Sequence, residues 1–419
     1  RLIIAALIVA IVCMSVLAVL FGVDKTYSAY VSVTVPESKE VTVYVGGNDV
    51  IKSDDGKSYM VTPGSTVTVT VVNESKLFKS MTINGKNYDT PVTDITVPDS
   101  GNIAITVETT EPYAEDVGRY FGNPFVLSRE ADVLSVARIL AGRSTAEDFE
   151  RIGAKDKTAE DIRFGYYRLG TNLFLSSSEF FGLGFRGGLP FGGCFDFGGY
   201  TATINLVRTT HVADEFTFAG STHYADYGFF AYAYGDGTHP CLMRNIKTQG
   251  FIGINTIQNE ATTIDHADHI NAGGVAGTAG KNIVFDGIES TVSVSAQTRF
   301  ANLYIGGIFG LCSSSVEAWC DIRYDGAFND VSGVTYGENA GAIVGGFAGV
   351  LQNASVNGVT IDGERSMVLA NALGKISGSA IAGGFVGVAE LGDKTFEEVN
   401  DPEPMVIKNV TIYAENDYS

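Results

Sequence analysis

The chain predicts an all-β protein: a parallel β-helix, or solenoid, preceded by a small antiparallel β-sandwich and a hydrophobic N-terminal helix. Three observations carry this. Apolar residues alternate with polar ones at period two, as Val67, Val69 and Val71 do among threonines and Ala202, Ile204 and Leu206 do beyond Tyr200, which is the pattern of half-buried strands. Glycine makes up 50 of 419 residues, well above the ordinary share of about 7%, and falls in short pairs over the second half, as repeated tight turns require. A GGxxG segment recurs four times, each time ahead of a strand-like run.

Charged residues are sparse and the net charge is −20. Such a surface repels phosphate backbones, which excludes nucleic acid as a partner. The five cysteines form no CxxC pair, so a structural zinc site is not expected. Cys312 and Cys320 stand close enough in sequence to bridge one turn in an oxidising compartment, and equally fit two buried thiols.

Residues 1–23 come first. Leu2 to Val23 carries no charge, and about 20 apolar residues suffice to cross a bilayer as a helix. The segment reads as a signal anchor or a signal peptide, either of which exports the rest to the cell surface or beyond. Residues 27–110 follow as an Ig-like sandwich spacer. Val31, Val33 and Val35, then Val41, Val43 and Val45, then Ile103, Ile105 and Val107 alternate, with turns at Asp55-Gly56, Pro63-Gly64, Asn84-Gly85 and Ser100-Gly101; a β-grasp arrangement fits the same strands. Glu111 to Gly122 reads as a linker.

Residues 113–207 form an N-terminal cap and lead into the solenoid. Ser128 can cap a helix whose apolar face holds Ala131, Leu134, Ile139 and Leu140 with Val133, Val136 and Ala137, and Thr145 with Asp148 marks a second cap. Residues 154–163 read as a polar loop. The stretch PFGGCFDFGGYTATINL, Pro190 to Leu206, then opens the stacked interior with Phe195, Tyr200, Ile204 and Leu206, Asp196 serving as a turn former.

Residues 208–419 carry the repeats. GGxxG segments start at Gly273, Gly306, Gly345 and Gly383, which are 33, 39 and 38 residues apart, and a degenerate earlier copy starts at Gly228. Fixed paired elements with variable gaps are what a solenoid shows when insertions are confined to loops. The glycines are expected to supply positive φ and close stacking. Strands without intervening amphipathic helices argue against an α/β solenoid.

The GGxxG segment, a polar gap and an I-x-N-V-T-I strand resemble the GLUG-type repeats of bacterial and archaeal cell-surface adhesin-like proteins. The stretch ahead of them is similar to the F-x-G-x-F-D-G-x-G-Y-x-I-x-x-L segment that precedes such repeats, with Phe191, Gly193, Phe195, Asp196, Gly199, Tyr200, Ile204 and Leu206 at matching places. Phe197 replaces the usual glycine, and Ala202 adds a residue before the isoleucine. The resemblance covers about Asn123 to Ser419. It implies a right-handed parallel β-helix with an N-terminal cap, exposed on the cell surface, and no defined catalytic residues.

The residues bear on four chemistries. Gly182-Leu183-Gly184-Phe185-Arg186-Gly187 matches GxGxxG, but Gly188 and Pro190 forbid the helix a dinucleotide needs. Asp265, His266, Asp268 and His269 put two imidazoles and two carboxylates together, a donor set for zinc or a similar divalent cation, against a plain polar loop; no other cofactor is expected. A polysaccharide lyase or glycosidase would need carboxylates converging in a groove. Asp196, Asp286, Asp321, Asp325 and Asp362 are the candidates, most of them beside glycine turns. Aromatic residues Phe216, Tyr224, Tyr227, Tyr324, Phe328 and Tyr336, in segments 208–227 and 323–340, suit stacking on sugar rings. The expected function is therefore adhesin-like binding to a glycan, a matrix component or a protein on a neighbouring cell, with a carbohydrate-active enzyme as the alternative.

Overall fold

The computed structural model describes residues 30–47, 50–53, 57–209, 224–256, 269–299, 301–313, 320–323, 331–336, 340–352, 356–362, 368–372, 380–383, 386–390 and 407–413. They are mostly strand, with three short helices. The hydrophobic segment 1–23 lies outside them, and among the described residues no helix is long and apolar enough to cross a membrane.

Two sheets make the sandwich. Val41–Gly46, Thr66–Asn73 and Val92–Thr96 form one; Ile51–Lys52, Ser58–Val61, Val31–Thr34, Asn102–Thr110, Leu77–Ile83 and Lys86–Tyr88 form the other in that order. The alternating valines fill the space between them, with Val33, Val45, Val61, Val69 and Val71 fully buried around Tyr59 and Met81. Asn84 (φ 49°) and Gly85 (φ 82°) form a two-residue turn closing the Ile83↔Lys86 pair, as an Asn-Gly hairpin should. The sandwich is not wholly antiparallel, because the strand of Val33 runs parallel to that of Ile103.

Three helices follow. In α1 (Glu130–Leu140) Val133, Val136, Ile139 and Leu140 are buried. Its first turn is closed by Asp132, whose carboxylate accepts from the Ser128 and Arg129 backbone N–H groups at 3.0 Å, in place of the expected Ser128 hydroxyl. In α2 (Ala146–Arg151) Asp148 accepts from the Thr145 N–H as expected. The predicted loop 154–163 contains α3 (Ala159–Arg163). Its signal was the same spacing again, Thr158 capping and Asp161 reaching back to the Thr158 N–H at 2.8 Å.

Beyond the helices, three sheets are parallel throughout. The broad sheet runs through Phe125–Leu127, Tyr166–Leu169, Cys194–Asp196, Leu242–Asn255, Val284–Thr298, Cys320–Arg323, Val356–Asp362 and Ile407–Tyr413, with Leu173–Leu175, Ala202–Arg208, Val331–Thr335 and Val368–Ala372 paired alongside. The second sheet orders Tyr224–Tyr227, His269–Gly273, Asn302–Gly306, Ala342–Gly345 and Ala380–Gly383. The third orders Phe230–Ala233, Ala276–Ala279, Phe309–Cys312, Ala348–Gln352 and Val386–Glu390. Gly273, Gly306, Gly345 and Gly383 stand in register.

The GGxxG segments that start at Gly273, Gly306 and Gly345 are arches from the second sheet to the third, and their glycines are needed for space. A Cβ on Gly277 or Gly310 would lie 2.5 Å from a backbone nitrogen of the preceding unit, Tyr227 or Ala272, and one on Gly349 would lie 2.6 Å from that of Ile305. A Cβ on the first glycine of each segment, Gly273, Gly306, Gly345 or Gly383, would strike the carbonyl oxygen three residues on, that of Ala276, Phe309, Ala348 or Val386. The expected positive φ is absent at these positions; it appears at Gly198 and Gly199 (φ 61° and 88°) in the turn after Asp196.

The stretch Pro190 to Leu206 supplies the centre of the core. The Phe195 ring contacts those of Tyr167, Phe191, Phe197, Phe229 and Phe230 at centroid distances of 5.4–6.0 Å. Ile204 and Leu206 are buried as expected, whereas Tyr200 is exposed, because the turn at Gly198-Gly199 has not yet entered the strand that begins at Ala202.

The sandwich is docked on this body. The Arg244 guanidinium holds Glu74 of the sandwich bidentately (2.5 and 3.1 Å), donates to Asp196 at 3.0 Å and lies over the Phe121 ring at 4.0 Å. The Tyr44 hydroxyl donates to Asp286 at 2.9 Å. Around them Tyr44, Val72, Phe121, Tyr166, Cys194 and Leu242 form a buried apolar patch. The predicted linker is thus part of the joint: Phe121 is buried within it, and the Asn73 amide donates to the Arg119 carbonyl at 3.1 Å.

Candidate functional site

Two places bring chemistry-bearing side chains together. The first lies where the second and third sheets meet a tight turn over Phe185–Leu189, closed by the Phe185 N–H on the Leu189 carbonyl. That turn projects Arg186, which holds Asp226 through Nε (2.9 Å) and Nη2 (3.0 Å) and donates to Thr278 Oγ1 at 2.9 Å. Asp226 and Asn271 are in register on adjacent strands. The Asn271 amide donates to Asp226 and to Thr278 at 2.9 and 3.0 Å. Burial works against the Arg186 charge, but the Asp226 carboxylate outweighs it and holds the guanidinium's pKa above its ordinary value.

Rings stack on this pair. The guanidinium sits between Tyr224 (4.4 Å) and Tyr232 (4.5 Å). Tyr224 and His269 are in register, and their rings stack at 4.8 Å and 13°. Tyr304 lies 5.5 Å beyond His269. The column therefore uses Tyr224 on both faces, which leaves it no face for a sugar.

The second place is the outer face of the broad sheet. Register sets three rows there: Phe174–Thr203–Gln249–Thr291, Asn205–Phe251–Ser293, and Val207–Gly253–Ser295–Ser332. Residues of the other parity, such as Ile204, Ile252 and Val294, are buried, so these rows point outward, with Ser293 alone of the three rows also buried. None of the rows contains an ionisable residue. Phe174, Val207 and Phe251 are 58%, 59% and 40% exposed. Gln249 donates to Thr203 at 2.8 Å and Ser332 to Ser295 at 2.9 Å. The row above is the charged border, where Lys247 and Glu289 pair at 3.0 Å.

No family model, no curated protein and no solved structure matches this chain. The site therefore rests on its own geometry.

Of the expected metal set, Asp265, His266 and Asp268 lie outside the described residues, and His269 is in a strand within the ring column. Among the described residues no three His, Cys, Asp or Glu side chains come together to hold a metal ion. Of the expected sugar-stacking residues, Phe216, Tyr324 and Phe328 lie outside the described residues. Tyr227 is a core residue at 2% exposure, because its strand turns Ala225 and Tyr227 inward and Asp226 away. Tyr336 is 41% exposed, just past the strand that ends at Thr335.

Of the candidate cleavage carboxylates, Asp196 accepts from Asn245 (2.9 Å), Arg244 and the Gly198 N–H (2.8 Å). Burial alone would raise its pKa, and these partners bring it below the ordinary value. Asp286 accepts from Tyr44. The side chains of Asp321, Asp325 and Asp362 lie outside the described residues, as does the Cys312–Cys320 pairing. Sequence reasoning missed Arg186, Asp226, Phe174 and Phe251. Only the alternation of Thr201, Thr203 and Asn205 with apolar residues points to the outer face in the sequence.

Proposed function

We propose that the chain is an adhesin-like cell-surface protein that binds a glycan, a matrix component or a neighbouring cell, and that its N-terminal segment anchors or exports it. On this reading the parallel sheets wind as a right-handed β-helix of GLUG-like repeats, which the in-register glycine arches support. The observation that carries the binding role is the wide, uncharged outer face of the broad sheet, with three large apolar side chains exposed on it. Binding is favoured over cleavage because Asp196 and Asp286 are committed to partners at the docked joint, where they stabilise structure.

The test is binding of the fluorescently labelled full chain, in detergent micelles, to intact cells, matrix proteins and a glycan array. Saturable binding to at least one of these is expected. Signal no higher than that of labelled empty micelles on every surface would overturn the proposal. Release of reducing or unsaturated sugar ends from any array glycan would favour the enzyme alternative.

A further inference from the structure

We propose that the uncharged outer face of the broad sheet, centred on Phe251, docks a linear, neutral polysaccharide. The inference rests on the surface-binding reading above and narrows it to one ligand class and one site. Charge makes the first argument. A chain of net charge −20 repels acidic polymers through its general field, and no cation stands in the rows of this face to offset that. A polymer without charge loses nothing by approaching.

Side-chain chemistry makes the second. A pyranose ring has an apolar C–H face and a rim of hydroxyls. Phe251 supplies the apolar platform, and the exposed Asn205 beside it and Gln249 one row above supply amides that both donate and accept. Phe251 is also held in place by the backbone: a Cβ on Gly253 would lie 2.6 Å from Phe251 Cζ, so the ring leans into the space that the glycine leaves open. A seated ring loses less side-chain entropy on binding than a free one.

Geometry makes the third. Phe174 and Phe251 are two strands and one outward step apart in the register, about 12 Å from strand spacing and rise. That separation fits platforms under alternate sugars of one chain lying obliquely across the strands. The rival site is weaker: both faces of Tyr224 are covered, and the Arg186 charge is committed to Asp226.

The experiment is isothermal titration of the full chain in detergent micelles with cellohexaose, mannohexaose, xylohexaose and hexagalacturonate. At least one neutral hexamer is expected to bind and the acidic one is not. Phe251→Ala should weaken that binding at least tenfold, and Gly253→Ala, which displaces the ring while keeping it, at least threefold. Val126→Ala, exposed on another strand, should leave it unchanged. Melting curves check that each variant is folded, and Gly253→Ala stands in if Phe251→Ala is not.

Binding by hexagalacturonate alone, or neutral binding indifferent to both face variants, would overturn the inference. So would a dimer in sedimentation velocity that Phe251→Ala abolishes, which would make the face a contact between copies. Cell binding without any hexamer bound would sink this inference and leave the adhesive reading standing; loss of both would sink both.

Discussion

Replacing Arg244 by methionine removes the guanidinium and keeps an apolar stem beside Phe121. Glu74, 19% exposed at its side chain, then loses two charged hydrogen bonds and keeps one from the Thr42 hydroxyl at 2.8 Å. Asp196, 6% exposed, loses one and keeps Asn245, the Gly198 N–H and a more distant Arg168 at 3.5 Å. Stripping one partner from a buried ion pair costs about 3–5 kcal/mol. The partners that remain and the partial exposure of Glu74 place this case near 3 kcal/mol, and the lost contact with Phe121 adds about 1 kcal/mol. Urea unfolding followed by circular dichroism should therefore show Arg244→Met destabilised by about 4 kcal/mol. The cycle with Glu74→Gln should show a coupling of about 2 kcal/mol. A loss under about 1 kcal/mol, or strict additivity, would mean that the joint is held by its apolar patch and the ion pair is incidental.

Further outcomes follow from the same contacts. Gly310→Ala forces a methyl against the Ala272 backbone and should cost upwards of about 2 kcal/mol in urea unfolding, whereas Gly199→Ala, with open space and only a strained φ, should cost about 1 kcal/mol. In Asp148, burial works to raise the pKa, but Arg138, the Thr145 N–H and the Ser135 hydroxyl bring it to about 2. A folded pKa below the unfolded one means stability that is full above about pH 4 and lost as pH falls towards 2. Asp148→Asn should flatten that part of the stability–pH curve by about 2 kcal/mol. Cys194 is fully buried, its thiol pushed up to about 12 by burial, so peptide mapping after iodoacetamide at pH 8 should find it alkylated only in denaturant. Asn73 stands in a glycosylation sequon, yet its amide bonds Arg119 and its carbonyl oxygen accepts from the Phe78 N–H; mass spectrometry of folded protein from a glycosylating host should find that site bare.

Local rules made most of the strands readable. Period-two alternation placed Val67–Val71 and Ile204–Leu206 correctly, because a strand with one buried face writes its burial directly into its sequence. The glycine arches are legible by spacing, and of the two reasons for them close stacking on the neighbouring backbone holds while positive φ does not. Parity places Tyr200 in the interior, but it still belongs to the Gly198-Gly199 turn, ahead of the strand that begins at Ala202, and is exposed. The joint between sandwich and broad sheet was invisible, since Glu74 and Arg244 are 170 residues apart and neither sits in a pattern of its own. The outer face was half legible: its alternation was plain, but only strand register sets Phe174, Asn205, Gln249 and Phe251 side by side.

The joint also sets a timetable. Glu74 waits for Arg244 across 170 residues, and Tyr44 waits for Asp286 across 242. The last sandwich strand ends at Thr110, so at synthesis rates of about 5–20 residues per second the sandwich is complete roughly seven to twenty-seven seconds before the arginine that will clamp it emerges. Throughout that interval the Glu74 carboxylate and the Tyr44 phenol face water, and Val72 is an exposed apolar surface. The sandwich has a core of its own, so domain-by-domain folding during synthesis lets it form first, with the later chain closing over it as a template already in place.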